Sequence, residues 1–331
     1  MEALVYTAPN TLVLRETAVP EPGPGEVLVR VGAVGICGSD MHAYHGHDSR
    51  RPAPLVLGHE AAGTIVSGPR TGARVTINPL VVDPDCPAAR AGRPHLSPTR
   101  QIISMPPRPG AFAGFVTIPE RNVLPIGDAL DFRRAALAEP IAVSWHAVRI
   151  GFERLGQAPE TANVLVLGGG AIGLAAALVA RSKRLRGLWL AEPNARRRAQ
   201  IAAQGGIVAY DPASDAAPEE VDLVIDAVGA AATRAAASRR VRPGGVIVHV
   251  GLLPGEAGFD IRRITLQEIT LCGSYCYTPE DFAATLAAME AGALGPLDWF
   301  ETRPLAAGAQ AFADLDAGAV PAAKIVLVPG G

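Results

Sequence analysis

Gly168, Gly170 and Gly173 fall in VLVLGGGAIGLAA, directly after an apolar run and at the opening of an Ala-rich stretch with helical periodicity. No other feature of the 331 residues constrains the fold as strongly. A G-x-G-x-x-G turn between strand and helix makes a tight bend and lets a pyrophosphate approach the backbone. It also aims the free N–H groups and dipole of a helix N-terminus at phosphate. A glycine turn that holds no ligand is the alternative reading. From about residue 160 the pattern recurs in GLWLAEPNARRRAQIAAQGG, VDLVIDAVG and GGVIVHVGL. Continuous apolar strands alternating with helices predict an α/β domain with a doubly wound, Rossmann-type parallel sheet, covered on both faces and spanning residues 146–278. Glu192 ends the second strand nineteen residues after Gly173, where an acidic side chain accepts hydrogen bonds from ribose hydroxyls. Its charge repels a 2′-phosphate and favours NAD over NADP. Arg196, Arg197 and Arg198 keep NADP open, because a guanidinium can pair with that phosphate.

The first part of the chain reads differently. Short β-branched runs, LVYT, VLVRVGAVGIC, AAGTIVSG and ARVTINP, are broken by clusters such as PEPGPGE, which predicts a mainly-β module over residues 1–145. One more helix, PEDFAATLAAMEAGAL, and a strand, KIVLVP, suggest that residues 279–331 return to that module. A chain that is 49% hydrophobic can bury a sizeable core. With 30 basic and 32 acidic residues, its net charge of −2 gives no electrostatic reason to expect nucleic acid or membrane, so the expected partner is a small molecule. The start, MEALVYTAPNTLVLRE, has no signal-peptide pattern, and no apolar run reaches the roughly 18 residues of a membrane span. A cytoplasmic location is the expectation, with Cys37, Cys86, Cys272 and Cys276 reduced.

Within the β module stand ICGSDMH at 36–42 and LGHEAAG at 57–63, followed by LAEPIAV at 137–143. A Cys, a His and two Glu in Gly-rich or Pro-bounded loops can together ligate Zn(II), which takes thiolate, imidazole and carboxylate in a tetrahedron with one position open. The same residues also suit a core thiol and ordinary hydrogen-bonded pairs.

CGSDMH, GHEAAG and the glycine turn, in this order and at these separations, resemble the zinc-containing medium-chain alcohol dehydrogenase family over nearly the whole chain. AEP at 138–140 is similar to its polyol branch, represented by sorbitol and L-idonate dehydrogenases, where glutamate takes a ligand place that cysteine fills elsewhere. The resemblance implies a GroES-like catalytic domain beside the nucleotide domain, and oxidation of a secondary alcohol by hydride transfer to NAD. It implies Cys37, His59 and Glu139 as catalytic zinc ligands, with Glu60 as alternate ligand or anchor of the metal's water. Ser39 and His42 become the proton path. Ile172 falls by the pyrophosphate turn, Arg197 beside the adenosine ribose, Val250, Gly251 and Leu252 near the nicotinamide, and Ser274 and Tyr275 near its carboxamide. A homodimer or homotetramer, built partly by sheet extension, is implied as well.

Two stretches depart from the family. Where many members hold a second, structural zinc with four cysteines, this chain has Asp83, Cys86, Ala89 and Ser97, so one catalytic zinc and no structural zinc is expected. His95 in the same lobe is read as a solvated loop residue. Cys276 stands where sorbitol-type and idonate-type relatives typically place a substrate-binding arginine. Ala43 likewise replaces an aromatic residue, although Tyr44 and Tyr277 remain nearby. Sorbitol itself is therefore disfavoured. Two other readings stay open: a zinc-free NADPH-dependent quinone-type reductase, and a non-catalytic nucleotide-binding protein on the same fold.

Overall fold

Glu26–Gly35, a ten-residue strand that alternates buried and partly exposed positions before a fully buried end, is the hub of the first half of the fold. It pairs antiparallel with Glu60–Ser67, Phe115–Pro119 and Lys324–Val328, within a seven-stranded sheet that also holds Arg74–Ile77, Val123–Pro125 and Phe300–Pro304. The register sets Gly35 opposite both Glu60 and Val326, so two distant segments meet at one end of the hub. Val27, Val29, Ile65, Ile77, Ile118 and Ile325 fill the core. Phe112 and Phe312 meet there edge to face with centroids 5.8 Å apart. Burial of each such side chain contributes about 1.5–3 kcal/mol.

This computed structural model describes residues 1–330 and divides the chain into two units. One comprises Met1–Glu139, Thr278–Ala291 and the chain from Leu297; the other comprises Pro140–Tyr277 and Gly292–Pro296. In the second, six parallel strands stand in the order Val208–Tyr210, Gly187–Ala191, Asn163–Leu167, Val221–Asp226, Val241–His249, Thr270–Gly273. Counted along the chain this is 3-2-1-4-5-6, the doubly wound order, with its reversal between Asn163–Leu167 and Val221–Asp226. Every residue of Val221–Asp226 is buried, as a central parallel strand covered on both faces requires, and the two acids it carries, Asp222 and Asp226, are hydrogen-bonded. The fold class is therefore the expected one, an α/β doubly wound sheet accompanied by a mainly-β unit. Among the described residues no helix is long and apolar enough to cross a membrane.

Three local expectations change. LAEPIAV is not a Pro-bounded loop but the opening of an 18-residue helix, Ala138–Leu155. Pro140 sits in its first turn, where a missing N–H breaks no helical bond, and Glu139 complements the positive end of the helix. Glu60 likewise begins the strand Glu60–Ser67 rather than lying in a loop. His95 is buried, because the one-turn 3-10 helix Pro94–Leu96 turns its ring inward and leaves the neighbouring Leu96 45% exposed.

Candidate functional site

Cys37 caps the short helix Gly38–Tyr44, immediately after the hub strand ends, and His59 immediately precedes the strand paired with it. The Gly35–Glu60 register therefore brings residues 37, 59 and 60 together. One potential ligand atom from each of Cys37, His59 and Glu60 lies within 4.8 Å of the others. Gly35 makes this possible, since a Cβ there would come 2.1 Å from Glu60 Oε2. Glu139, the fourth expected ligand, is outside that group; it is buried, and its charge acts on Lys324.

The surroundings are charged and dry. Asp40 is fully buried, accepts the Cys37 N–H at 3.0 Å through Oδ2, and sets Oδ1 3.5 Å from His59 Nδ1. Burial alone would raise the Asp40 pKa, but the charges of His59 and Arg51 and the Cys37 N–H hold it below its ordinary value. Burial pulls His59 down, while Asp40 and Cys37 outweigh that and hold it well above the usual imidazole range. Lys324 donates to Glu60 Oε1 at 2.6 Å and to the Ile36 carbonyl at 2.8 Å. Burial works against its charge, yet Glu60, Cys37 and Glu139 keep its pKa raised, so it is an ammonium. Glu60 Oε2 is left buried with no hydrogen-bond partner.

These residues fit a divalent cation. With the thiol ionised, Cys37, Asp40, Glu60 and Glu139 supply four anions against the cations Lys324 and Arg51, an excess of two when His59 is neutral. A soft thiolate, an imidazole and a carboxylate form a zinc-type donor set. An Nδ1–H directed at Asp40 would leave the His59 Nε2 lone pair for the ion.

Ser39 and His42, three residues apart on Gly38–Tyr44, are both partly exposed and share a helix face. Arg51, itself buried, donates to the Ser39 carbonyl at 2.7 Å and to the Ser104 carbonyl at 3.1 Å. The two tyrosines noted in the sequence are both buried. Tyr44 is buried against Phe312, and Tyr277 is 1% exposed.

In the nucleotide unit, Gly168 has φ +95° and Gly173 lies in the first turn of the helix Ala171–Arg181 so close to the glycine turn that a Cβ would come 1.7 Å from the Gly168 carbonyl oxygen. Gly170 is that helix's N-cap and supplies no side-chain acceptor, so the N–H groups of the first turn stay available. Glu192 is buried and accepts the Gly169 N–H through Oε2 at 2.9 Å and the Asn194 N–H through Oε1 at 2.8 Å. It thus ties the end of Gly187–Ala191 to the glycine turn, with lone pairs left for a hydroxyl donor. Arg198 is committed to the Glu192 and Pro193 carbonyls and to Asp211, whereas Arg197 Nε is buried without a partner. The Ile172 carbonyl accepts from Ser144. Val250 and Gly251 donate to the Asp226 carbonyl and Ser274 donates to that of His249, so three of the remaining candidates gather on two strand ends. Leu252 is 69% exposed and Tyr275 is half-buried.

The sequence reading missed Asp40, Arg51, Lys324 and Asp226. Asp226 closes an apolar strand with an acid, much as Glu192 follows one, and could have been found that way. Nothing near Lys324 in the chain marks it, because its partners are 264 and 288 residues away.

Residues 23–128 match the alcohol dehydrogenase GroES-like domain, and residues 171–291 match the zinc-binding dehydrogenase family. The chain is 34% identical over 307 residues to the L-galactonate-5-dehydrogenase of Escherichia coli K12, covering 88% of each protein. Among solved structures, an alcohol dehydrogenase of Escherichia coli CFT073 complexed with NADH superposes with a TM-score of 0.90 at 25% identity, covering 99% of both chains. A zinc-binding dehydrogenase of Sinorhizobium meliloti 1021 bound to NADP gives 0.88 at 28% identity, again over 99% of both. Together with the donor set and the doubly wound sheet, these likenesses define the class: the chain belongs to the zinc-type medium-chain dehydrogenase family, within its polyol dehydrogenase branch.

Proposed function

We propose that this chain is a zinc-dependent, NAD-linked dehydrogenase acting on a secondary alcohol of a polyol or sugar acid. The convergence of Cys37, His59 and Glu60 within 4.8 Å, enclosed by buried Asp40 and Lys324, is the observation that carries this reading. Cys37, His59 and Glu139 are the proposed ligands, one metal per chain, with Glu60 as alternate ligand or anchor of its water. Zinc held there supplies Lewis acidity that lets a substrate hydroxyl ionise near neutral pH. Ser39 accepts the proton released and hands it toward His42 on the same helix face, while Arg51 fixes the Ser39 backbone. A bound nicotinamide would supply the acceptor for the hydride of the carbinol carbon.

On the nucleotide side, Gly168, Gly170, Ile172 and Gly173 receive the pyrophosphate, and Glu192 and Arg197 receive the adenosine ribose. Val250, Gly251, Leu252, Ser274 and Tyr275 flank the nicotinamide. Buried Glu192, already tied to the glycine turn, favours NAD, because a 2′-phosphate would meet its carboxylate. A sugar-acid substrate is favoured by the likeness to L-galactonate-5-dehydrogenase. A cytoplasmic location is in keeping with four free cysteines. The proposed partner is a second copy of this chain: Thr270–Gly273 is an edge strand, and Ile261, Leu266 and Leu271 are exposed on or just before it in the chain.

The test is metal content per subunit together with reduction of NAD and NADP over a panel of polyols and sugar acids. One zinc per chain, lost with activity in Cys37→Ala, would support the reading. An active metal-free protein would overturn it in favour of a zinc-free reductase, and NADP preference would remove the NAD assignment.

A further inference from the structure

Arg234, in helix Ala231–Arg240, is 6% exposed, and its guanidinium is spread over three backbone carbonyls. Nη1 donates to Gly255 at 2.5 Å and to Ala257 at 3.1 Å, and Nη2 donates to Leu253 at 3.3 Å. A buried cation is costly unless its N–H groups are satisfied, so this side chain is a substantial structural commitment. The segment it holds contributes nothing to the core. Residues 252–257 are all exposed, with Leu252 at 69% and Leu253 at 45%. What Arg234 maintains is the shape of a surface loop.

The rest of the loop is fixed in the same manner. Val250 and Gly251 donate to the Asp226 carbonyl at 2.9 and 3.0 Å. Asp226 itself accepts the Val228 and Gly229 N–H groups and pairs with His249 Nδ1 at 3.1 Å. At the far end, a Cβ on Gly258 would come 2.3 Å from the Ala231 carbonyl oxygen, so the backbone lies directly on the helix that carries Arg234. In a sheet of order 3-2-1-4-5-6, a dinucleotide lies across the carboxyl ends of the strands with one mononucleotide on each half. Glu192 and the glycine turn belong to the first half; the loop after Val241–His249 belongs to the second.

We infer that Arg234 is a positioning residue for the nicotinamide half of the cofactor, holding residues 250–258 as a preformed platform. The inference rests on the dinucleotide reading above. A loop already ordered before binding does not lose its freedom when the ligand arrives, and that preorganisation appears as affinity.

The experiment measures NADH and ADP binding to the full-length protein and to Arg234→Met and Arg234→Lys, with the nicotinamide fluorescence of bound NADH as a second readout. In Arg234→Met, NADH affinity is expected to fall about tenfold and the fluorescence change on binding to shrink, while ADP affinity stays within about twofold. Arg234→Lys, with a charge but no fork, should fall about threefold. If the Met variant does not fold, the Lys variant decides by the same comparison. Unchanged NADH affinity would overturn the inference, as would equal losses for NADH and ADP, which would make Arg234 a general support of the unit. Wild-type protein that binds neither NADH nor NADPH would remove the dinucleotide reading and this inference together.

Discussion

The metal group and the glycine turn solve opposite problems. The first gathers side chains from positions 37, 59 and 60 and surrounds them with buried charges at 40, 51 and 324, so its order depends on paired buried charges. The second is made of backbone within six residues, 168–173, where the absence of Cβ atoms matters more than any functional group. A site built from charge should fail when one partner is removed, and a site built from backbone should fail when volume is added. Single substitutions can press on that difference from either side.

Lys324→Met is expected to have the largest effect. It leaves the Glu60 side chain buried without its 2.6 Å partner, and breaking a buried ion pair from one side costs about 3–5 kcal/mol. Urea unfolding of the purified variant measures this. A loss below about 1 kcal/mol would mean that Glu60 finds another donor. Lys324→Arg, which keeps the charge, should recover part of the loss.

Two glycine-to-alanine changes then separate the regions. Gly35→Ala puts a Cβ 2.1 Å from Glu60 Oε2, and Gly173→Ala puts one 1.7 Å from the Gly168 carbonyl oxygen. Each should cost about 1–3 kcal/mol through forced displacement. The readouts should diverge: Gly35→Ala lowers zinc affinity and spares ADP binding, while Gly173→Ala lowers ADP affinity at least about tenfold and spares zinc. Parallel losses in both assays would erase the distinction.

The same difference governs what the sequence revealed. The glycine turn was legible because its parts are contiguous and its strand and helix have their own periodicities. Cys37, His59 and Glu60 could be suggested from CGSDMH and GHEAAG, but only the Gly35–Glu60 register brings them within reach of one another. Lys324 was illegible. It sits in KIVLVP, which reads as an ordinary terminal strand, and it acquires a role only because that strand pairs beside the hub's end. In the sequence, Pro140 beside Glu139 reads as a loop boundary, although proline is tolerated in a helix's first turn, where the structure places it.

Asp226 brings the charge principle into the backbone-built unit, and acid titration tests it. Burial raises its pKa, but the His249 hydrogen bond and the Gly229 and Val228 N–H groups outweigh that and hold it below its ordinary value. A carboxyl with a depressed folded pKa contributes stability above its unfolded pKa, and loses it as pH falls below about 4 toward the folded value. Asp226→Asn should therefore be less stable than wild type by about 1–2 kcal/mol at pH 7, with the gap narrowing at about pH 3. A constant gap would assign the effect to shape rather than charge.

Cys86 supplies the smallest effect and tests whether thiol chemistry is confined to one place. Its Sγ accepts the Ala89 N–H at 3.4 Å and caps the four-residue helix Pro87–Arg90, while Asp83 Oδ1 is occupied by the Asp85 N–H. Cys86 thus acts as a local helix cap and Asp83 closes a turn. Cys86→Ala should cost less than about 1 kcal/mol, since sulfur is a weak acceptor, and should leave metal content per chain unchanged. Cys37→Ala should abolish it, because no second thiolate lies in the group with His59 and Glu60. If Cys86→Ala lowered the metal content instead, the lobe would hold an ion, and the contrast between a single charge-built metal site and a backbone-built nucleotide site would have to be redrawn.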